Sequence, residues 1–405
     1  MASYEKNAKD SIFWTLCIMG LFAILSSTMS KNPVLKPFAT SLGTPAGWTG
    51  IVASASTIPG ILVSLPAASL SDIFGRKKFI LIAGFVFASA PFLYLLITVW
   101  WQLILVRFYH GFATAVFVPV AEASTAELFP TKRGERISLF SSATYVGRVI
   151  APFLGGYILF VSSNDFRILY LAVATAGVTA FIMALSFLAE RKQSTTIQQE
   201  NSKETVKRLS RGWRIVTTNR GILTVGFVQA CQFYTYGAVE YFLSGYLIEV
   251  VHFNFLLTGI ITGSLVALPI FVKPYMGRVS DKIGRRIPIV VGCIIGGLPL
   301  LAVPFAADFS VLLLLSVVYG FGFATVTAST PALVSELTSK EFFGTAMGFL
   351  DTIMDMGQTV GPIISGLILA TSLGYAGVFP SLTLILLFSS IVFVIAGTAK
   401  GTCSQ

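Results

Sequence analysis

Twelve runs of apolar residues, each about twenty residues long, dominate this sequence and restrict what it can fold into. A helix of that length spans roughly 30 Å, the thickness of the hydrocarbon core of a bilayer. Only 11% of the 405 residues are charged, whereas a soluble domain carries roughly 25%. The runs therefore predict transmembrane α-helices. The expected spans are 12–30, 47–68, 79–98, 101–123, 138–160, 168–189, 221–247, 256–276, 287–306, 309–333, 344–370 and 375–397.

Positive charge falls in every second loop between these runs. The basic loops hold Arg76 to Lys78, Lys132 to Arg136, the segment 190–220 and Lys282 to Arg286. Because cytoplasmic loops carry the excess of Lys and Arg, we expect both termini to be cytoplasmic, in a cell membrane. The net charge of +10 thus indicates membrane topology, and we expect a lipid bilayer and no nucleic acid as partner.

The two halves of the chain repeat each other at an offset of about 209 residues. The segment SDIFGRKK at 71–78 returns as SDKIGRRI at 280–287, and APFLGG at 151–156 returns as GPIISG at 361–366. The repeat predicts two six-helix bundles, at 1–189 and 221–405, joined by a polar cytoplasmic linker at 190–220. In transporters built from such repeats, the substrate site lies between them near the middle of the membrane.

The repeated loop carries a recognisable motif. Its copies, ASLSDIFGRKK from Ala68 and GRVSDKIGRR from Gly277, resemble the loop signature of the major facilitator superfamily. The resemblance implies the twelve-helix fold of that family and a gating role for these loops, with an acidic partner at the end of the fourth span. The gating residues expected on this basis are Asp72, Gly75, Arg76, Glu127, Asp281, Gly284 and Arg285.

The fourth span contains VRFYHGFATA, with Arg107 and His110 three residues apart on one helix face. An arginine in a membrane helix is costly and faces a cavity or a partner. The equivalent position in the second half is Ser316, so this charge is not required by the repeat. The family resemblance implies a part for Arg107 in proton coupling, whereas His110 is either a second coupling group or a packed neutral imidazole.

Small residues and proline recur in the fifth and eleventh spans. GRVIAPFLGG and GQTVGPIISG resemble a helix signature of the antiporter members of the superfamily. Small residues at these spacings let helices approach closely, and proline bends a helix. The residues that carry this resemblance are Gly147, Pro152, Gly155, Gly156, Gly361 and Pro362.

Further ionisable and polar residues lie within the predicted spans. Arg148 and Asp355 both fall near mid-membrane, so we expect them to face each other across a cavity. The first span has no acid, so either the proton site lies at Asp355, Glu240 or Glu122 instead, or the coupling differs. The candidates for substrate binding or proton coupling are Arg107, His110, Arg148, Gln229, Gln232, Tyr236, Glu240, Asp351 and Asp355. For the Gln and Tyr residues, bonding between helices is the alternative.

The sequence contains no nucleophile elbow, zinc-protease motif or phosphate-binding glycine loop. We therefore expect no enzyme activity, no cofactor and no metal, and a secondary transporter working by alternating access, functional as a monomer. The resemblance favours proton-coupled efflux of lipophilic small molecules, as in the twelve-helix drug:proton antiporters. A proton-coupled symporter or exchanger of organic anions is the alternative within transport, and a transport-dead sensor or scaffold is the alternative outside it.

Overall fold

The computed structural model describes residues 2–190, 211, 213–339 and 342–398. Besides a helical stretch at 213–218, these residues form fourteen α-helices and one 3₁₀ turn, and none of them lies in a β-strand. The prediction of an all-α protein is confirmed. The helices are α1 (Ala2–Met29), α2 (Leu35–Ser41), α3 (Ala46–Ser54), α4 (Ile58–Phe74), α5 (Arg76–Tyr94), α6 (Trp100–Leu128), α7 (Arg133–Val161), α8 (Phe166–Glu190), α9 (Arg220–Glu249), α10 (Phe255–Ile283), α11 (Arg286–Ala302), α12 (Phe309–Leu337), α13 (Phe343–Leu369) and α14 (Gly374–Thr398).

Eleven stretches among the described residues are long and apolar enough to cross a membrane. They correspond to eleven of the twelve predicted spans. The remaining predicted span, 221–247, lies on α9, a helix of 30 residues. Gln229, Gln232 and Glu240 interrupt the apolar residues of this helix.

The second predicted span is divided in the structure. Helix α3 ends at Ser54 and α4 begins at Ile58, with Pro59 in the first turn of α4. Proline has no backbone N–H, so it is accepted at the start of a helix but interrupts one that runs through it. The short helix α2, between the first two spans, also went unpredicted. Its seven residues are too few to produce a clear apolar period.

Contacts along the chain divide it into two compact units. Unit 1 comprises Met1–Ser194 and Glu240–Gly263, and unit 2 comprises Thr195–Val239 and Ser264–Gln405. Helices α9 and α10 therefore each contribute to both units. Division into 1–189 and 221–405 remains a prediction about the repeat, and most of the predicted linker lies outside the described residues.

The described end of the predicted linker packs within unit 2. Val216 is fully buried in a cluster with Phe349 and residues of α9 and α11. Trp213 makes an edge-to-face contact with Phe349, with ring centroids 6.3 Å apart. This part of the segment is therefore attached to the second bundle through apolar contacts.

Each unit contains the same close approach of two helix backbones. In unit 1, a Cβ atom added to Gly147 of α7 would lie 2.2 Å from the carbonyl oxygen of Leu21 in α1. In unit 2, a Cβ atom on Gly357 of α13 would lie 2.4 Å from the carbonyl oxygen of Ala230 in α9. Both glycines let the backbones touch, which is how helices associate where lipid removes the hydrophobic effect.

The same explanation covers two further glycines of the antiporter-type motif, Gly156 and Gly361. In unit 1, a Cβ atom on Gly156 would lie 2.5 Å from the carbonyl oxygen of Phe255, and one on Gly259 would lie 2.6 Å from the carbonyl oxygen of Pro152. In unit 2, a Cβ atom on Gly361 would lie 2.0 Å from the carbonyl oxygen of Tyr234. These motif glycines are thus required by packing within each unit.

We expect Gly147→Ala and Gly357→Ala to destabilise the protein, because the added methyl group must displace a neighbouring backbone. Overpacking of this kind costs about 1–3 kcal/mol. Gly134→Ala and Gly348→Ala are matched controls on the same two helices, since an added Cβ atom at either position meets nothing within 4 Å. Thermal unfolding in detergent should show lowered midpoints for the first two variants only. Equal midpoints for all four variants would contradict the close approach.

Candidate transport and gating sites

The two copies of the loop motif adopt the same structure. Gly75 and Gly284 have φ angles of 96° and 88°, in a region that L side chains rarely adopt. Each glycine ends one helix and lets the next begin within two residues, α5 at Arg76 and α11 at Arg286. The glycines of the motif are therefore needed for the turn between helices.

The arginine of each loop pairs with a glutamate at the far end of a long helix. Arg76 Nη2 lies 2.8 Å from Glu127 Oε1 in unit 1, and Arg285 Nε lies 2.8 Å from Glu336 Oε1 in unit 2. Arg285 also pairs with Asp281. The hydrogen bond to Glu336 is the main cause that raises the pKa of the Arg285 guanidinium above its usual value. The side chain of Asp72 lies outside the described part of the chain.

Glu336 was missed by the sequence analysis. It stands in the second half where Glu127 stands in the first, 209 residues later. Applying the offset of the repeat to Glu127 would have found it. The structure brings Arg76 and Glu127 together as the gating hypothesis requires, while the gating role itself remains a prediction.

Arg107 and His110 are both buried, each with 2% of the residue exposed. Gly111, one turn after Arg107 on the same face, allows α6 to pack closely, because a Cβ atom there would lie 2.1 Å from the carbonyl oxygen of Ser56. Arg107 Nη2 donates to Ser56 Oγ and to the carbonyl oxygen of Ala53 at 3.4 Å. The guanidinium therefore binds the turn between α3 and α4.

His110 lies in an aromatic environment. Its ring contacts Phe87 and Tyr94, both with centroids 6.0 Å away, and Nδ1 lies 3.5 Å from Ser30 Oγ. A packed imidazole was one of the two interpretations of this residue from the sequence. The contacts agree with that interpretation, and a coupling role for His110 remains a prediction.

Two lysines after the end of α1 pair with glutamates on α9, all within unit 1. Lys31 pairs with Glu240, whose side chain is only 5% exposed. Lys36 Nζ lies 2.6 Å from Glu249 Oε1, which also accepts from Thr40 Oγ1 at 2.7 Å. Lys36 was not singled out from the sequence, because the short helix α2 that holds it carries no recognisable motif.

The polar residues of α9 are bonded to neighbouring helices of unit 2. Gln229 Oε1 accepts from Thr330 Oγ1 at 2.7 Å, and Gln232 Nε2 donates to Cys293 Sγ at 3.3 Å. Both glutamines are at least nine-tenths buried. These contacts match the packing role that the sequence left open, and a substrate role for the glutamines remains a prediction.

Tyr236 belongs to an aromatic cluster in unit 2. Its ring stacks on Phe323 with centroids 4.6 Å apart and an interplanar angle of 21°, and Phe233 contacts both rings. Lys273 Nζ lies 6.0 Å from the Phe323 centroid. Lys273 was overlooked because it stands near the polar end of an otherwise apolar run.

Arg148, Asp351 and Asp355 occupy positions with more access to solvent or lipid. Arg148 is exposed on α7, with its guanidinium 6.0 Å from the Tyr145 ring centroid. Asp351 is exposed and Asp355 half-buried, one turn apart on α13. Arg148 belongs to unit 1 and Asp355 to unit 2, and their meeting across a cavity remains a prediction.

No group of three or more His, Cys, Asp or Glu side chains in the described ranges has the arrangement of a metal site.

Comparison with known proteins extends over nearly the entire chain. It is 23% identical over 403 residues to an uncharacterized MFS-type transporter of Methanocaldococcus jannaschii, covering 98% of each chain. It is 26% identical over 393 residues to the multi-drug resistance efflux pump PmrA of Streptococcus pneumoniae, covering 95% of each.

Solved structures agree on the fold. A bacterial homologue of the human lysosomal transporter Spinster, in an inward-facing and occupied conformation, matches with a TM-score of 0.80 at 14% identity, covering 96% of this chain and 97% of that one. A sequence model of the Major Facilitator Superfamily matches residues 16–272 and 226–401. With two overlapping matches that span both halves, the chain belongs to the major facilitator superfamily of membrane transporters.

Proposed function

We propose that this transporter exports lipophilic small molecules in exchange for protons, by alternating access. The observation that carries the proposal is the pairing of Lys31 with the buried carboxylate of Glu240. Likeness to a multi-drug efflux pump along 95% of the chain supports the choice of substrate class. The proposal places the protein in the cell membrane, with both termini cytoplasmic and a monomer as the working unit.

Glu240 is suited to proton coupling because its charge has one main partner. A buried ion pair is stable only while both groups remain charged. Protonation of Glu240 removes the attraction to Lys31 and so weakens the contact of the segment after α1 with α9, which the Lys36–Glu249 pair still holds. Loss of the proton restores the pair, so binding and release of a proton can be tied to a change at this contact.

Other charged groups act on the same pair. Lys31 experiences the charges of Arg107 and Arg148, and Tyr145 lies in electrostatic range of both Arg148 and Glu240. A substrate that binds near Arg148 would therefore change the electrostatic potential at Glu240. In this way substrate and proton can compete although they contact different residues.

Transport of organic anions is the second candidate. Arg148 is exposed and has no carboxylate within salt-bridge distance among the residues the structure describes. An arginine of this kind can bind a carboxylate through two parallel hydrogen bonds. Symport of an anion with a proton is therefore the alternative.

Purified protein in liposomes distinguishes the two candidates. With an imposed pH gradient, we expect neutral or cationic lipophilic dyes to drive proton counterflow. Lumenal pH reports the movement of protons, and dye fluorescence reports the movement of the dye. Glu240→Gln should abolish the counterflow but keep dye exchange at equal pH, because glutamine imitates the protonated acid. Glu249→Gln is the matched control on the same helix and should keep coupling.

Two further variants show which carboxylate carries the proton and which of the two candidate functions is correct. If Asp355→Asn abolishes proton counterflow and Glu240→Gln does not, the antiporter proposal stands with a different carboxylate. If only organic anions move, if protons move in the same direction, and if Arg148→Ala abolishes this transport, the symporter replaces the efflux pump.

The ion pair also gives a prediction about stability. Removing one partner of a buried pair leaves an uncompensated charge and costs about 3–5 kcal/mol, while replacing both by apolar residues is close to neutral. We therefore expect Lys31→Met to lower the unfolding midpoint in detergent and the double variant Lys31→Met/Glu240→Leu to restore most of it. Lys132→Met, in the exposed pair with Glu135, should change stability by less than about 1 kcal/mol. A double variant no more stable than Lys31→Met would disprove the coupling of the two groups.

A further inference from the structure

The second half of α10 carries a continuous exposed face in unit 2. Phe271, Tyr275, Arg278 and Lys282 follow one another at intervals of four, three and four residues. This spacing places the four side chains on the same side of an α-helix. The two aromatic residues are 74% and 62% exposed, and the two basic residues are exposed as well. We call these four residues the α10 stripe.

The chemistry of the stripe changes along the helix. Arg278 and Lys282 lie close to the end of α10, which is Ile283, and Phe271 lies about 16 Å from Lys282 along the helix axis. We expect this end of the helix to be cytoplasmic, because the loop that follows it is basic. The stripe therefore runs from cations at the headgroup level to an aromatic ring in the hydrocarbon core.

The two cations are not neutralised within the protein. No ion pair among the described residues includes Arg278 or Lys282. The acid closest to them in sequence, Asp281, pairs with Arg285, and Arg285 also pairs with Glu336. The stripe thus presents two unbalanced positive charges beside ion pairs that do not involve them.

The first half of the chain lacks these two charges. At the offset of 209 residues, Arg278 corresponds to Ser69 and Lys282 to Ile73, and Ile73 is 67% exposed. The loop motif nevertheless adopts the same turn in both halves. The turn therefore does not require cations at these two positions, and an arginine within a membrane helix is costly unless something balances it.

A phospholipid has the chemistry to cover the whole stripe. Its phosphate oxygens accept hydrogen bonds from a guanidinium, an ammonium group and the Tyr275 hydroxyl, and its acyl chain can lie against the ring of Phe271. A zwitterionic headgroup carries its own cation, which the two basic residues repel, whereas an anionic headgroup supplies the charge that they lack. A soluble phosphate has no apolar part to cover Phe271.

We propose that the α10 stripe binds an anionic phospholipid. The headgroup lies at Arg278 and Lys282, and an acyl chain follows Tyr275 and Phe271 into the bilayer. The bound lipid lies beside the loop that carries Arg285, which is one of the residues expected to act in gating. The lipid site depends neither on the transported substrate nor on the coupling ion.

Native mass spectrometry of the purified full-length protein tests the site with phosphatidylglycerol and phosphatidylcholine of the same acyl chains. We expect tighter binding of phosphatidylglycerol. The variant Arg278→Ser/Lys282→Ile carries the residues of the first repeat and should bind this lipid about 25-fold more weakly, since each cation near an anionic lipid contributes about fivefold. The control Lys78→Ile/Arg133→Ser removes two exposed cations of unit 1 and should keep the affinity within about twofold.

A fluorescence measurement places the lipid on the helix. Tyr275→Trp should be quenched more strongly by phosphatidylglycerol brominated on its acyl chains than by brominated phosphatidylcholine, measured as the difference from the unsubstituted protein. Tyr157→Trp, at a position 54% exposed on α7, should be quenched equally by both lipids. Inorganic phosphate should not displace the brominated lipid.

Three results would overturn the proposal. Equal weakening of phosphatidylglycerol binding in the two double variants would indicate general charge attraction and no site on α10. Equal quenching of Tyr275→Trp by the two brominated lipids would show that the stripe does not select an anionic headgroup. Displacement by inorganic phosphate would show that the two cations recognise a soluble anion instead of a lipid.

Discussion

Water is absent from the hydrocarbon core of a bilayer, and this constraint governs both the helices and the few charges of the chain. Every backbone amide must be bonded within its own segment, so the described residues are helical almost throughout. Each buried charge needs a partner, which another side chain or a backbone carbonyl supplies. Close packing then replaces the hydrophobic effect as the force between helices, which explains why glycines such as Gly147 and Gly357 lie at backbone contacts.

Much of this structure could be predicted from the sequence, because apolar length and loop charge are strong local signals. The division between α3 and α4 could not, since the interruption spans only three residues, Ala55 to Thr57, within a continuous apolar run. The contacts of Gln229 and Gln232 were also undecided, because a polar residue in a span looks the same whether it faces a helix or a cavity. Their partners, Thr330 and Cys293, are far away in sequence.

The repeat is retained where it serves packing and turns, and lost where charges are buried. Arg76 with Glu127 and Arg285 with Glu336 form equivalent pairs in the two units. Arg107, in contrast, is matched by Ser316 in the second half. A packing contact works equally well in both halves, whereas a buried charge has a desolvation cost in each place it occurs. We therefore expect function, and not the fold, to determine the residue at such diverged positions.

Lys31 and Glu240 show how the duplication itself produces a contact. They lie 209 residues apart, at equivalent positions of the repeat, and they pair with each other. Thr40 and Glu249 have the same separation and are also hydrogen-bonded. Where equivalent positions meet, identical charges would repel, so the two copies had to diverge before both could carry a charge. A lysine opposite a glutamate satisfies this condition, and the attraction lasts only while both groups are charged.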